Sequence, residues 1–306
     1  MTKAGWGMKK QYLYALLSVV CWSTMTPVSK TLLHSVSGFE VQLWRAGSAA
    51  ASLLLILLAR GQARDLCDLL RRHGLRLVGY GFVGFFLYTT LHLFSLGVLS
   101  GQVTSVVNYL WPIFTVCLSS LMLGEPFTAG DVWALALSFL GVAVASLGGG
   151  AGASLTRASV LGLIATVTAA LGYAWFSVVN KRLGEDQTLC MFVYNLTSAV
   201  FVLPLALYTG VGPYTAAQVA GLSWLGISGG ALGSLCWALA LNCGDAAKIA
   251  NLAYATPALS VFICGTVLGE GLHLSSFAGL ALILLGFFVQ KRFERRGKVK
   301  AQNTAQ

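Results

Sequence analysis

The stretch Val107-Asn108-Tyr109-Leu110-Trp111-Pro112, followed by Leu123-Gly124-Glu125, returns as Leu252-Ala253-Tyr254-Ala255-Thr256-Pro257, followed by Leu268-Gly269-Glu270. The offset is 145 residues in both segments, and it continues without a gap, so that Leu140-Gly141 falls on Leu285-Gly286. Both copies lie in a 306-residue chain that is 57% hydrophobic and 10% charged, with a mean hydropathy of +0.76. A soluble domain carries about 25% charged residues. No water-soluble core absorbs this much apolar surface, and the charges are segregated, leaving uncharged runs long enough to cross a hydrocarbon layer about 30 Å thick.

These runs predict ten membrane spans, at 12–32, 41–59, 77–98, 103–123, 130–147, 158–180, 188–208, 220–241, 247–268 and 274–290. The first is not read as a secretory signal although Lys9 and Lys10 precede it. It lacks a small-residue cleavage site, and its Trp22…Lys30 spacing returns as Tyr173…Lys181. A first five-span repeat occupies 1–147, a linker 148–157 with the glycine-rich stretch Gly148–Ala153, a second repeat 158–290, and a basic tail 291–306. Two copies of an odd number of spans joined in series cross the membrane in opposite directions, so the repeats are expected to be inverted. The expected fold is an all-α integral membrane bundle, two inverted five-helix repeats around a central cavity.

In a soluble protein the net charge of +10 would suggest nucleic acid. Here the positive-inside rule accounts for it. With the N-terminus in the cytoplasm, 17 of the 20 basic residues fall on that side; Arg157 is assigned to an outer loop, and Lys30 and Arg45 to outer helix ends. The expectation is a multi-pass protein of the inner membrane with both termini cytoplasmic and no nucleic-acid partner. The segment Arg60–Arg76, alternating charged and leucine positions, is expected to lie as a short interfacial helix. Seven cysteines without a C-x-x-C pair read as buried thiols rather than a disulfide or zinc framework.

The landmarks together are Arg45 one turn into span 2, Tyr-x-x-Pro in spans 4 and 9, Leu-Gly-Glu at their ends, and Leu-Gly in spans 5 and 10. They resemble the EamA-type ten-helix branch of the drug/metabolite transporter superfamily, over about residues 12 to 290. Trp22-Ser23-Thr24-Met25 and Asn108-Tyr109-Leu110-Trp111-Pro112 are similar to strings in bacterial aromatic amino acid exporters. The resemblance implies a basket of helices around a central cavity, and outward passage of amino acids.

Pro112 deprives the carbonyl of Asn108 of its helical partner, and Pro257 does the same to Ala253, so the two prolines are candidate kinks at opposite depths: gates, or inherited bends. Polar and aromatic residues inside spans are costly to show to lipid and should face the bundle interior. Trp22 and Thr26 share a face of span 1, and Tyr88 and His92 one of span 3. Asn108, Tyr109 and Trp111 cluster in span 4; Tyr173, Trp175, Ser177 and Asn180 in span 6; Trp237 lies in span 8, and Asn251, Tyr254 and Thr256 in span 9. The expected substrate-binding set is Trp22, Thr26, Tyr88, His92, Asn108, Tyr109, Trp111, Tyr173, Trp175, Trp237 and Tyr254. His92 has two readings, a hydrogen bond to a neighbouring helix or a cavity contact that responds to pH. Trp44, Trp224 and Tyr208, near span ends, read as interfacial belt residues.

Lys30 and Arg45 are expected to snorkel to the outer headgroups, with Arg45 pairing with Glu40 or lining the outer exit as the alternative. Glu125 and Glu270 read as structural caps of corresponding helix ends. The first span carries no Asp or Glu, which disfavours proton-driven efflux of cations. No phosphate-binding glycine loop and no metal-ligand spacing occur, so no cofactor and no metal are expected. The favoured reading is a non-enzymatic exporter of small neutral or zwitterionic metabolites, most of all amino acids, with a small-molecule substrate and the lipid bilayer as its partners. The alternatives are export of another metabolite or drug-like solute, or a non-transporting membrane scaffold. Oligomeric state is not legible.

Overall fold

The computed structural model describes residues 3–124, 129–148, 156–242, 252 and 255–304, and among them the chain is helical with no strand. In lipid a helix satisfies every backbone N–H and C=O internally. The first span is two helices, α1 (Lys3–Ser23) and α2 (Met25–Leu32), and the second is α3 (Gly38–Ala59). The third combines α4 (Ala63–Gly81), a π-helical segment Phe82–Leu87 and α5 (Tyr88–Val98). The fourth is α6 (Gly101–Asn108) and α7 (Trp111–Leu123), the fifth α8 (Ala129–Gly148). The second repeat follows with α9 (Arg157–Leu183), α10 (Gln187–Thr209), α11 (Ala216–Trp224), a second π-helical segment Leu225–Leu232 and α12 (Gly233–Asn242). It ends with α13 (Ala255–Val267) and α14 (Leu274–Thr304). Six helical stretches are long and apolar enough to cross a membrane, and three shorter apolar helices fall in the fifth, ninth and tenth spans.

Helices pair across the two repeats. Span 1 packs on span 8 and span 3 on span 6; span 2 packs on span 7, span 4 on span 9 and span 5 on span 10. This is the pairing of an internal twofold axis, under which 1–8 and 6–3 exchange. The span 5–10 contact shows the same symmetry in detail. A Cβ on Gly141 would lie 2.5 Å from the Gly279 carbonyl oxygen, and one on Gly286 2.9 Å from that of Ala134. The 145-residue offset carries Gly141 to Gly286 and Ala134 to Gly279. Small residues let these two backbones touch, the usual device for joining helices in lipid.

The two π-helical segments obey the symmetry as well, since the offset carries Phe82–Leu87 onto the second of them. An extra residue per turn re-aims the side chains that follow and releases backbone carbonyls. The Gly229 carbonyl accepts from Trp22 Nε1 and from Ser234 Oγ, each at 3.4 Å. Gly226 sits where a side chain would run into Ser48 and the Arg45 carbonyl on α3.

Two expectations change. The segment Arg60–Arg76 is not a separate interfacial helix: from Ala63 it runs as one helical stretch into the third span, ending at Val98. Leu69, and Leu77 just beyond the segment, are wholly buried beside Phe176, Leu189 and Tyr194, while Leu70 and Leu75 stay exposed. Span 4 is broken immediately before its proline into two helices, rather than running on as one bent helix. Tyr109 N and Leu110 N turn back to the carbonyls of Val106 and Val107, both at 3.1 Å, and Pro112 stands in the first turn of α7, where its missing N–H costs nothing. Pro257 likewise lies in the first turn of α13 and is buried. The linker residues 149–155, Glu125, Asn251 and Tyr254 lie outside the described residues. The described cysteines are all free.

Candidate functional site

The helices enclose a cavity of about 490 Å³ between the repeats. Trp22, Thr26 and Ser29 reach it from span 1; Arg45 from span 2; Tyr88, Thr89 and His92 from span 3; Ser105, Asn108, Tyr109 and Trp111 from span 4. The second repeat supplies Tyr173, Thr188, Asn195, Trp237, Thr256 and Ser260. Nine of the eleven residues expected from the sequence therefore converge on one chamber. The helical period explains it: Tyr88 and His92, four apart, stack with ring planes 11° from parallel and centroids 5.9 Å apart. Tyr88 meets Tyr173 at 5.0 Å, Trp111 stands edge-on to Tyr173 at 5.3 Å, and Trp22 meets Trp237 at 5.4 Å.

Trp175 does not belong to the lining. Two residues beyond Tyr173 it points about 200° around the helix, and it packs edge-on against Tyr80, 5.8 Å away. Ser177 donates to the Tyr173 carbonyl at 2.8 Å, and Asn180 donates to Gln187 Oε1 at 3.0 Å.

Arg45 does not snorkel outward. Its guanidinium lines the cavity and donates through Nη1 to Thr89 Oγ1 at 3.3 Å, with the phenols of Tyr88 and Tyr173 beside it. Glu40 cannot pair with it, because five residues along a helix place the two side chains about 140° apart. Glu40 is engaged elsewhere, accepting from Tyr214 Oη at 2.8 Å, Gly212 N at 3.2 Å and Ser37 N at 3.0 Å, the last within a capping box. Burial, and then the bond it donates to Glu40, raises the pKa of the Tyr214 phenol. No Asp or Glu lines the cavity among the described residues; Arg45 is its one charged side chain there.

The two ends of the chamber are built differently. At one end Ser29, His92, Ser105 and Ser260 are buried, and Ser105 and Ser260 share a hydrogen bond at 3.1 Å. Above them Lys30 Nζ donates to the carbonyls of Leu96 and, at 2.6 Å, Leu99, at the end of α5. Glu270 accepts from Gly101 N at 2.7 Å and Gln102 N at 3.2 Å, at the start of α6, and Gln102 Nε2 donates to the Gly271 carbonyl at 2.6 Å. A cation thus sits on a helix C-terminus and an anion on the next helix's N-terminus, each where the peptide dipoles favour it. Lys30 is a clasp rather than a headgroup anchor, and Glu270 caps the helix of another span, not its own. At the opposite end the lining reaches Thr188 and the exposed Gln187, beside the loop in which Glu185 meets Arg72 and His73 at 3.2 and 3.3 Å.

Sequence reasoning missed Ser29, Thr89, Ser105, Thr188, Asn195 and Ser260, and reached Arg45 only as an alternative, at the outer exit. Two carried a signal: Ser29 is three residues beyond Thr26, and Ser105 three before Asn108, each on a face already chosen.

Paired inverted halves with a walled chamber between them define a polytopic membrane transporter fold. The model of the EamA-like transporter family matches residues 9–147 and again 160–290, one match to each repeat. The chain belongs to the EamA-like transporter family. It is 28% identical over 273 residues to the uncharacterized transporter YvbV of Bacillus subtilis (strain 168), covering 87% of this chain and 86% of that protein. It is 24% identical over 298 residues to a probable terminal-alkyne amino-acid exporter of Streptantibioticus cattleyicolor, covering 95% and 94% of the two chains. One solved crystal structure superposes with a TM-score of 0.69 at 22% identity, over 94% of this chain and 98% of its own, a likeness of fold. The substrate of such a protein is a small molecule and its surroundings are lipid.

Proposed function

We propose that this transporter exports small neutral or zwitterionic metabolites, above all amino acids, across the inner membrane with both termini in the cytoplasm. The observation that carries the reading is the ring-lined chamber between the repeats. Indole, phenol and imidazole faces take apolar bulk, while hydroxyls and amides at their margins take hydrogen-bonding groups. The lack of an acid among the described lining residues disfavours cationic solutes. The Streptantibioticus relative, by its name, adds support for amino acids. Transport proceeds by alternating access: the clasped end is the outer gate, closed in this conformation, and the end at Gln187 faces the cytoplasm.

Counterflow in proteoliposomes loaded with unlabelled amino acids tests this, with and without a pH gradient. The expected result is saturable accumulation of labelled amino acid, cut several-fold in Trp22→Ala and Asn108→Ala with the protein still folded. An absence of counterflow for every amino acid would refute it.

A further inference from the structure

The cavity holds a cation that the described residues leave largely unanswered. Arg45 lies about 10 Å into the apolar helix α3, and it lines the chamber. Of its five N–H groups, Nη1 alone makes a hydrogen bond to a described residue, a long one of 3.3 Å to a neutral hydroxyl. The ion pairs among the described residues involve Arg72 and His73, not Arg45. A charge at membrane depth without a countercharge is costly and marks a functional contact. The planar fork of a guanidinium matches a carboxylate in two parallel hydrogen bonds. Close by, Asn108 Oδ1 and His92 Nδ1 are buried with no hydrogen-bond partner among the described residues. Asn108 Oδ1 is an acceptor, suited to an ammonium group at the other end of a zwitterion.

We infer that Arg45 is the specificity-determining anchor of the cavity, binding the carboxylate of the transported solute. The inference rests on the export reading above and deepens it: the substrate carries a free carboxylate, with apolar bulk against the rings of Tyr88, Tyr173 and Trp111. Thr89 holds the fork in register, and entry of the carboxylate supplies a countercharge that the described residues do not.

The test is intrinsic tryptophan fluorescence of the purified full-length protein, titrated with L-phenylalanine and L-leucine, with their carboxamides, and with 3-phenylpropionate and 4-methylpentanoate, which lack the amine. The expected result is roughly tenfold or greater preference for the acids over the amides, as a hydrogen bond to a charged group supplies. Arg45→Gln removes that preference by weakening the acids and leaving the amides unchanged, and Arg45→Lys restores part of it. Equal affinity of wild type for acid and amide overturns the inference, as does an undiminished preference in Arg45→Gln. Should Arg45→Gln fail to fold, Arg45→Lys decides, because it keeps the charge but loses the fork and must lower the acid preference. If the amino acids fail to bind while the amine-free acids bind through Arg45, the amino-acid reading falls and the anchor stands. If no acid binds, the anchor falls.

Discussion

One end of the chamber, the proposed outer gate, carries full charges placed on backbone ends, and the other is bordered by side-chain pairs in the open. At the shut end Lys30 and Glu270 grip the two helix termini that flank Leu99 and Ser100, and their partners are carbonyls and N–H groups that a turn in the chain has already left without intrahelical bonds. At the other end Arg72 is 60% exposed in its pair with Glu185, and exposed pairs contribute little. A closed gate in lipid therefore need not be an ion pair between helices. Two opposite charges reading opposite ends of neighbouring helices tie spans 1 and 9 to spans 3 and 4, and the arrangement is reversible, because each partner can return to water when the end opens.

Cys264, buried at the shut end next to Gly101, reports on it. Replacing Glu270 with Ala leaves two backbone N–H groups without their acceptor, a loss of about 2 kcal/mol from the closed state. Maleimide labelling of Cys264, in a protein whose other cysteines are replaced, should rise roughly thirtyfold. No rise would mean that Glu270 does not hold the gate. Replacing Lys30 with Met removes the favourable charge at the end of α5 and its two bonds to carbonyls, which tolerate an open lone pair better than an N–H tolerates a missing acceptor, a net loss of about 1 kcal/mol, so labelling should rise roughly fivefold on the same readout. A Lys30 effect larger than that of Glu270 would reverse the ranking of the two charges. Glu185→Gln at the open end should change labelling by less than about twofold, given the roughly 0.5 kcal/mol of an exposed pair. A change comparable with that of Glu270→Ala would show both ends to be latched alike.

Much of the architecture was legible because membrane proteins write it in long periods. Uncharged runs located the spans, and the matched offset of Tyr109-x-x-Pro112 and Tyr254-x-x-Pro257 exposed the repeat. Tyr88, His92, Trp22 and Thr26 were found by helical spacing, and the structure brings them to the same chamber. Trp175 was chosen by residue type rather than by face, and the same period that unites Tyr88 with His92 separates it from Tyr173. The π-helical segments left little trace in the sequence, since a change of hydrogen-bond register has no composition of its own. Arg60–Arg76 reads as a surface element because its charges alternate with leucines, and Leu70 and Leu75 are exposed, yet Leu69 and the following Leu77 are buried against span 7. That packing depends on a helix distant in sequence.

The sequence by itself determined how often the chain crosses, that it is built twice over, and which rings and hydrogen-bonding groups the interior contains, because burial in lipid constrains each segment locally. Only the tertiary structure decided where the long cationic side chains of Lys30 and Arg45 go and what each end of the chamber is made of. An ammonium or guanidinium on a flexible stem travels to the nearest acceptor, and whether that is a headgroup, a helix end or a solute depends on which other helix stands beside it.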